Sequence, residues 1–172
     1  MDLATQARAM ARYNQWMNGQ IFEASAGVAD EDRKADRGAF FGSIHGTLNH
    51  LLLVDYLWMG RFVDEPYEYG SLDRELHAEY SELTDARVAM DERILQWANA
   101  LTNEELAEPL RVVSVTRSAE FVFPLWVCVT HYFNHQTHHR GQVTTLLSQI
   151  GVDPGVTDLP FLSGLALDPS GA

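Results

Sequence analysis

Four long segments of this 172-residue chain carry apolar residues at steps of three and four, a spacing that predicts helices burying one stripe each. In the first segment, for example, the stripe includes Met10, Tyr13, Met17 and Ile21. We predict helices over residues 2–26, 43–62, 73–101 and 124–150. Four amphipathic helices around one core form an all-α four-helix bundle, a class that builds metal sites from side chains on facing helices.

Residues with known preferences for helix ends support these bounds. Ser43 suits the position before a helix, Pro124 suits a first turn, and Gly151 suits the position just past an end. Thr102 followed by Glu105 resembles a capping box, which predicts one further short helical turn.

Shorter elements are expected between and after the helices. We interpret the charged stretch 30–34 as a loop. The valine-rich segment 110–116 and the segment 120–123 predict a short hairpin before the last long helix. Three prolines predict a mostly irregular tail over 152–172, with a short turn near 158–162.

Length and charge limit the partners of this protein. The chain is long enough for one well-packed core and too short for two, so we expect a single domain over residues 1–172.

A net charge of −12 repels phosphate backbones and anionic lipid surfaces, so we expect neither nucleic acid nor a membrane as partner. Cys128 is the only cysteine, which excludes an internal disulfide, and we expect a cytoplasmic location.

Four of the seven histidines lie in one twelve-residue stretch, 131–142, inside the last predicted helix. Residues four apart share a helix face, so His135 with His139, or His131 with His135, can bind one cation together. His131 and His139 lie about 12 Å apart along the axis, which is too far for direct sharing, and His138 points about 100° away from His139. Gly141 costs up to about 1 kcal/mol in a helix interior, and we interpret it as a point of close approach that favours His135 with His139.

A third ligand is expected from the second helix. His45 and His50 are five residues apart and point about 140° away from each other, so they do not both face the core. His50 lies mid-helix on an apolar stripe, whereas His45 lies near the helix start, and His50 is therefore the better candidate.

Spacing alone does not decide between a metal site and histidines that only pack. For His45, His77 and His138 we favour packing or surface roles. We interpret Cys128 as a small buried hydrophobe. Asp55 and Arg61 are expected to form a solvated or paired set of charges.

Two histidine-containing segments resemble motifs of a known family. The first is Gly42-Ser43-Ile44-His45-Gly46-Thr47-Leu48-Asn49-His50, which continues to Asp55, Trp58 and Arg61, and the second is His131-Tyr132-Phe133-Asn134-His135 with His138-His139-Arg140-Gly141-Gln142. With these motifs, and with Gly151, Pro154 and Asp158 in the tail, the chain resembles the DinB family along nearly its whole length.

The resemblance implies a four-helix bundle of the DinB/YfiT-like type, often a homodimer, in which three histidines hold a divalent metal. Carried onto this chain, the ligands are His50, His135 and His139, the same three that the spacing favours. The wider superfamily includes enzymes that use low-molecular-weight thiols such as bacillithiol or mycothiol in transfer or isomerisation reactions.

Three imidazole ligands leave the ion's charge intact and a coordination position open, which is typical of a catalytic metal site. The ligand set and the family resemblance together give our first hypothesis, a metal-dependent enzyme that transfers a thiol cosubstrate to a small electrophile. A metal-dependent hydrolase and a non-catalytic metal- or ligand-binding bundle acting through a dimer surface are the alternatives. For the ion we place zinc first and nickel second. The sequence assigns no general acid or base.

Overall fold

The computed structural model describes residues 2–114 and 119–165 of the chain. In chain order the helices and strands are α1 (Leu3–Ala26), α2 (Asp30–Lys34), α3 (Ile44–Phe62), α4 (Tyr80–Ala100), α5 (Asn103–Ala107), β1 (Pro109–Val113), β2 (Glu120–Pro124) and α6 (Leu125–Gln149).

The four long helices enclose the core. Helix α1 packs against α4 and α6, and α3 packs against the same two helices, so each long helix has two long neighbours. Ile21, Ile44, Leu48, Leu83 and Val143 are among the fully buried side chains that fill the space between them. The predicted all-α four-helix bundle is confirmed. Within the described residues, none of these helices combines the length and apolar character that crossing a membrane requires.

The helix ends lie where the sequence signals place them. The Ser43 hydroxyl accepts a hydrogen bond from the Gly46 amide at 2.9 Å and caps α3. Thr102 and Glu105 form the predicted capping box at the start of α5. Pro124 directly precedes α6, and Gly151, with φ of 77°, follows its end.

The predicted hairpin before the last helix is confirmed. Strands β1 and β2 pair antiparallel, with Pro109 opposite Pro124 and Val113 opposite Glu120. The Leu125 amide donates to the Glu108 carbonyl at 2.8 Å, which ties the start of α6 to the hairpin. The last two residues of the predicted first strand, 115 and 116, lie outside the described residues.

The C-terminal tail is irregular as predicted, with one short 3-10 turn at Leu159–Phe161. It is fastened to α1, because the Tyr13 hydroxyl donates to the Thr157 carbonyl and Arg12 donates to the Ser163 carbonyl, each at 2.6 Å. The part of the predicted tail over 166–172 lies outside the described residues.

Two local predictions are wrong. Residues 30–34 form the short helix α2 instead of a loop. Acidic residues at its start and basic residues at its end complement the helix dipole, and Arg33 donates to the Ser25 carbonyl at 2.7 Å. The third long helix begins at Tyr80 and not at residue 73, because the residues before it form turns and bends, and the amides of Leu76 and His77 donate to Asn49 of α3 instead of to a helix.

The interpretation of Gly141 as a point of close approach is also wrong, since a β-carbon there would have no heavy atom within 4 Å. Close approach occurs instead at two glycines of α3. A β-carbon on Gly46 would overlap the carbonyl oxygen of Phe41, and one on Gly60 would overlap the carbonyl oxygen of Glu65. Both glycines therefore let neighbouring loops lie directly on α3.

A cluster of charged and polar side chains lies inside the bundle. The Asp55 carboxylate of α3 is fully buried and accepts hydrogen bonds from Arg87 of α4 and Gln136 of α6. Arg87 also pairs with Asp91 at 2.9 Å, and Asp91 accepts from Asn18 of α1 at 2.8 Å. One connected network therefore joins all four long helices.

The glycines of α3 and α6 provide a matched test of this packing. Gly46→Ala is expected to lower the free energy of unfolding by about 1–3 kcal/mol, because the loop at Phe41 must move. Gly141→Ala is expected to raise it by up to about 1 kcal/mol, because alanine is the better helix former and the site has room. Urea unfolding followed by circular dichroism measures both, and equal effects of the two substitutions would contradict the described packing.

Candidate metal centre

His135 and His139 lie on the same face of α6 with their rings in contact. Their ring centroids are 4.4 Å apart and their Nε2 atoms are 3.1 Å apart. The His131 and His135 ring centroids are 6.1 Å apart, and the His131 ring packs on Trp58 at 5.2 Å. Of the two pairs that the spacing left open, the structure brings His135 and His139 closest.

His50 of α3 joins this pair from the facing helix. Its ring centroid lies 5.3 Å from that of His135 and 4.6 Å from that of His139. One ring nitrogen from each of the three residues lies within 4.8 Å of the other two, so the three can hold a metal ion. The structure therefore brings together the three histidines that the sequence singled out.

Hydrogen bonds on the far side of two rings fix which nitrogen faces the centre. His50 Nδ1 lies 2.8 Å from the Leu72 carbonyl oxygen, and because a carbonyl only accepts, Nδ1 carries the hydrogen. His139 Nδ1 likewise donates to Gln142 Oε1 at 2.8 Å. In both rings the lone pair is then on Nε2, an orientation typical of metal-binding histidines.

The described residues do not satisfy every ring nitrogen of the three histidines. His50 Nε2 is buried without a hydrogen bond, and so is His135 Nδ1. The Nε2 atoms of His135 and His139 lie 3.1 Å apart, so a hydrogen on His135 Nε2 can bind the His139 lone pair, but the lone pair of His50 Nε2 is still left without a partner. A divalent cation satisfies several such lone pairs at once, and zinc is bound by imidazole nitrogens at about 2.0–2.1 Å. The residues present therefore fit a metal.

Burial keeps the three rings neutral. It lowers the pKa of His50 to about 4, although the hydrogen bond to Leu72 acts in the opposite direction. Burial, and then the neighbouring His139 and His50, lower the pKa of His135 to about 3. The pKa of His139 is also lowered by burial. All three imidazoles are thus uncharged at neutral pH, as cation binding requires.

The segment before α4 orients His50, and Asn49 holds that segment in place. Asn49 Oδ1 accepts from the amides of Leu76 and His77 at 2.8 and 3.0 Å, and its Nδ2 donates to the His77 carbonyl at 3.2 Å. His45 Nε2 lies 2.9 Å from the same carbonyl oxygen. His45, which we did not expect to bind metal, thus helps to fix the chain that carries the Leu72 carbonyl. The sequence does contain a signal for this role, because Asn49 is a polar residue within an otherwise apolar stretch of the predicted second helix.

Phe41 covers the centre from the loop before α3. Its ring stacks on His50 with centroids 3.7 Å apart, and lies 5.4 Å from the ring of His139. Phe41 can lie this close to His50 because Gly46 has no side chain, which leaves room for the Phe41 backbone. Periodicity gave no signal for Phe41, since the residue lies outside the helices.

A cavity of about 510 Å³ begins at His50 and His135 and extends between α3, α6 and the hairpin. Most of its wall is apolar, with Trp58, Phe121 and Phe123 among the lining residues. Cys128 lines it as well and is buried, as expected for a small hydrophobe. The cavity has the size and character of a site for a small organic molecule.

The prediction that Asp55 and Arg61 form a solvated or paired set of charges is wrong. Asp55 is fully buried and bound to Arg87, whereas Arg61 lies over the Trp58 ring at 4.7 Å and donates to the Val113 carbonyl at 3.2 Å. The two residues are six positions apart on α3, so they point about 120° away from each other. Their proximity in the sequence was misleading.

The lowered pKa values make the stability of the metal-free protein depend on pH. The unfolded chain takes up a proton on His50 below about pH 6.5, while the folded protein does so only near pH 4. The free energy of unfolding therefore falls as the pH drops through this window, by up to about 1.4 kcal/mol per pH unit for this residue. Urea unfolding of chelator-treated protein at several pH values, compared with His50→Gln, isolates that contribution. Identical slopes for the two proteins would contradict it.

Comparison with known proteins agrees with this arrangement. The family description "DinB family" matches residues 2–169. Protein DinB of Bacillus subtilis (strain 168) is 28% identical over 152 residues, which cover 85% of this chain and 87% of the relative. The resemblance that the histidine motifs suggested is confirmed, and the chain belongs to the DinB family.

Proposed function

We propose that this protein is a divalent-metal-dependent enzyme that transfers a low-molecular-weight thiol to a small electrophile. In this proposal His50, His135 and His139 are the metal ligands, with zinc as the first choice of ion and nickel as the second. The observation that carries the proposal is the convergence of three neutral imidazoles, two buried and one half-buried, at the end of an apolar cavity.

The ligand set supports a catalytic role over a structural one. Structural zinc sites in proteins use four protein ligands, whereas the described residues supply three here. A divalent ion in such a site supplies positive charge that lowers the pKa of a thiol or a water molecule next to it.

The surrounding residues favour a thiol and an apolar electrophile. Phe41 covers the rings of His50 and His139 and keeps bulk water from that side. Trp58, Phe121 and Phe123 line the adjoining cavity and offer an apolar surface to the body of an electrophile. A hydrolase remains the alternative for the same three histidines, because water fits the same open position.

A non-catalytic bundle that acts through a dimer surface is the candidate from another class. Val122, Phe123 and Trp126 are apolar, lie near the junction of β2 and α6, and are 55%, 38% and 42% exposed. We propose that this surface takes part in a homodimer, since exposed apolar groups of this kind favour association.

The proposed thiol-transferring enzyme is also placed in the cytoplasm, where thiols stay reduced.

Turnover assays with matched variants test the proposal. Tag-free protein loaded with zinc or nickel is incubated with bacillithiol and monochlorobimane, and conjugate formation is followed by fluorescence. We expect His50→Ala to reduce kcat/KM at least about 100-fold through loss of the metal. His138→Gln changes an exposed histidine whose ring lies 4.8 Å from that of His139 but which is not one of the three ligands, and this control is expected to keep its metal content.

The outcomes separate the candidates. Conjugate formation that His50→Ala leaves unchanged would contradict the enzyme proposal. Metal binding without turnover on this pair, or on a panel of p-nitrophenyl esters, would favour the non-catalytic bundle. Ester hydrolysis without thiol conjugation would favour the hydrolase.

A further inference from the structure

One cationic side chain lies in the wall of the largely apolar cavity. Arg61 lines it together with His50, His135 and Trp58. Among the described residues, the other charged side chains of the protein do not line this cavity. A charge in an apolar wall needs a physical explanation, because desolvation of an unpaired charge is costly.

Arg61 has no acidic partner within the described part of the chain. It donates to the Val113 carbonyl, and its guanidinium lies over the Trp58 ring. The acidic residues outnumber the basic ones by 24 to 12, and Arg87, Arg93 and Arg111 each pair with a carboxylate. A guanidinium has five N–H donors, and the bond to Val113 uses one of them. Among the described residues, most of its recognised donor capacity is thus not taken up by an acidic side chain.

The position of Arg61 relative to the histidines suits a ligand that spans the cavity. His50 and Arg61 are eleven residues apart on α3, so they lie within about 20° of the same face and about 16 Å apart along the axis. Side chains on a helix tilt toward its N-terminus, which brings the guanidinium toward the histidine end. It rests on the Trp58 ring, which in turn contacts His131 at 5.2 Å.

We propose that Arg61 binds a carboxylate group of the substrate that occupies this cavity. The ligand is then a small organic acid with an apolar body, whose carboxylate meets Arg61 and whose reacting end reaches His50 and His135. A planar guanidinium held against an aromatic ring presents its fork of donors in the geometry that a carboxylate needs. The inference rests on the proposed function in taking this cavity as the substrate pocket.

Binding measurements on metal-free protein test the inference without contribution from a bound ion. In the presence of a chelator, 4-phenylbutyrate and its neutral analogue 4-phenylbutanamide are titrated by isothermal calorimetry. We expect the carboxylate to bind at least about tenfold more tightly than the amide, and Arg61→Met to remove that preference. Arg111→Met is the matched control. It removes an arginine of β1 that pairs with Glu120, and this variant is expected to keep the preference for the carboxylate.

Further variants keep the result interpretable. Arg61→Lys retains the charge and the fold but lacks the planar fork, so an intermediate preference is expected. Equal binding of acid and amide to the unaltered protein, or an unchanged preference in folded Arg61→Met, would overturn the inference. His50→Ala is expected to lose zinc but keep the preference for the acid, so failure of the metal site and failure of the carboxylate site are distinguishable.

Kinetics with the metal-loaded protein identify which reactant carries the carboxylate. One arm compares 3-mercaptopropionate with 2-mercaptoethanol against a neutral electrophile, and the other compares an acidic with a neutral electrophile against 2-mercaptoethanol. Arg61→Met is expected to raise KM about tenfold for the reactant that delivers the carboxylate and to leave the KM of its neutral analogue unchanged. An equal change for acid and neutral analogues in both arms would contradict the inference.

Discussion

The buried carboxylate of Asp55 is the interaction on which the arrangement of the bundle depends. It accepts hydrogen bonds from Arg87 of α4 and Gln136 of α6, so one side chain of α3 fixes the height of both neighbouring helices. Removal of one partner from such a buried pair typically costs about 3–5 kcal/mol, because the other charge is left uncompensated. The network therefore ties the four long helices to one register.

That register is also the register of the candidate metal centre. Gln136 directly follows His135, and Asp55 lies five residues after His50, so the hydrogen bond between Gln136 and Asp55 fixes how far the two histidines are offset along the helix axes. The helices thus determine where the rings lie, and for His50 the irregular segments beside it determine how the ring is turned. The Leu72 carbonyl selects the tautomer of His50, and Phe41 covers its face. Position and orientation have separate origins in this fold.

Local sequence signals were sufficient for the helices and for part of the site. His135 and His139 follow from the four-residue spacing on a helix, and His50 follows from its place on an apolar stripe. The role of Asn49 and the partner of Asp55 could not be predicted in the same way, because both depend on residues more than twenty-five positions away. Periodicity identifies a buried face, but it does not specify which polar groups on different helices meet there.

The identity and geometry of the bound ion test the central claim most directly. Anomalous diffraction from crystals of tag-free, zinc-loaded protein locates the ion independently of any assay. We predict one zinc ion per chain, bound by a ring nitrogen of each of His50, His135 and His139 at about 2.0–2.1 Å. Zinc bound by other side chains, or no zinc among these three rings at saturating concentration, would contradict the claim.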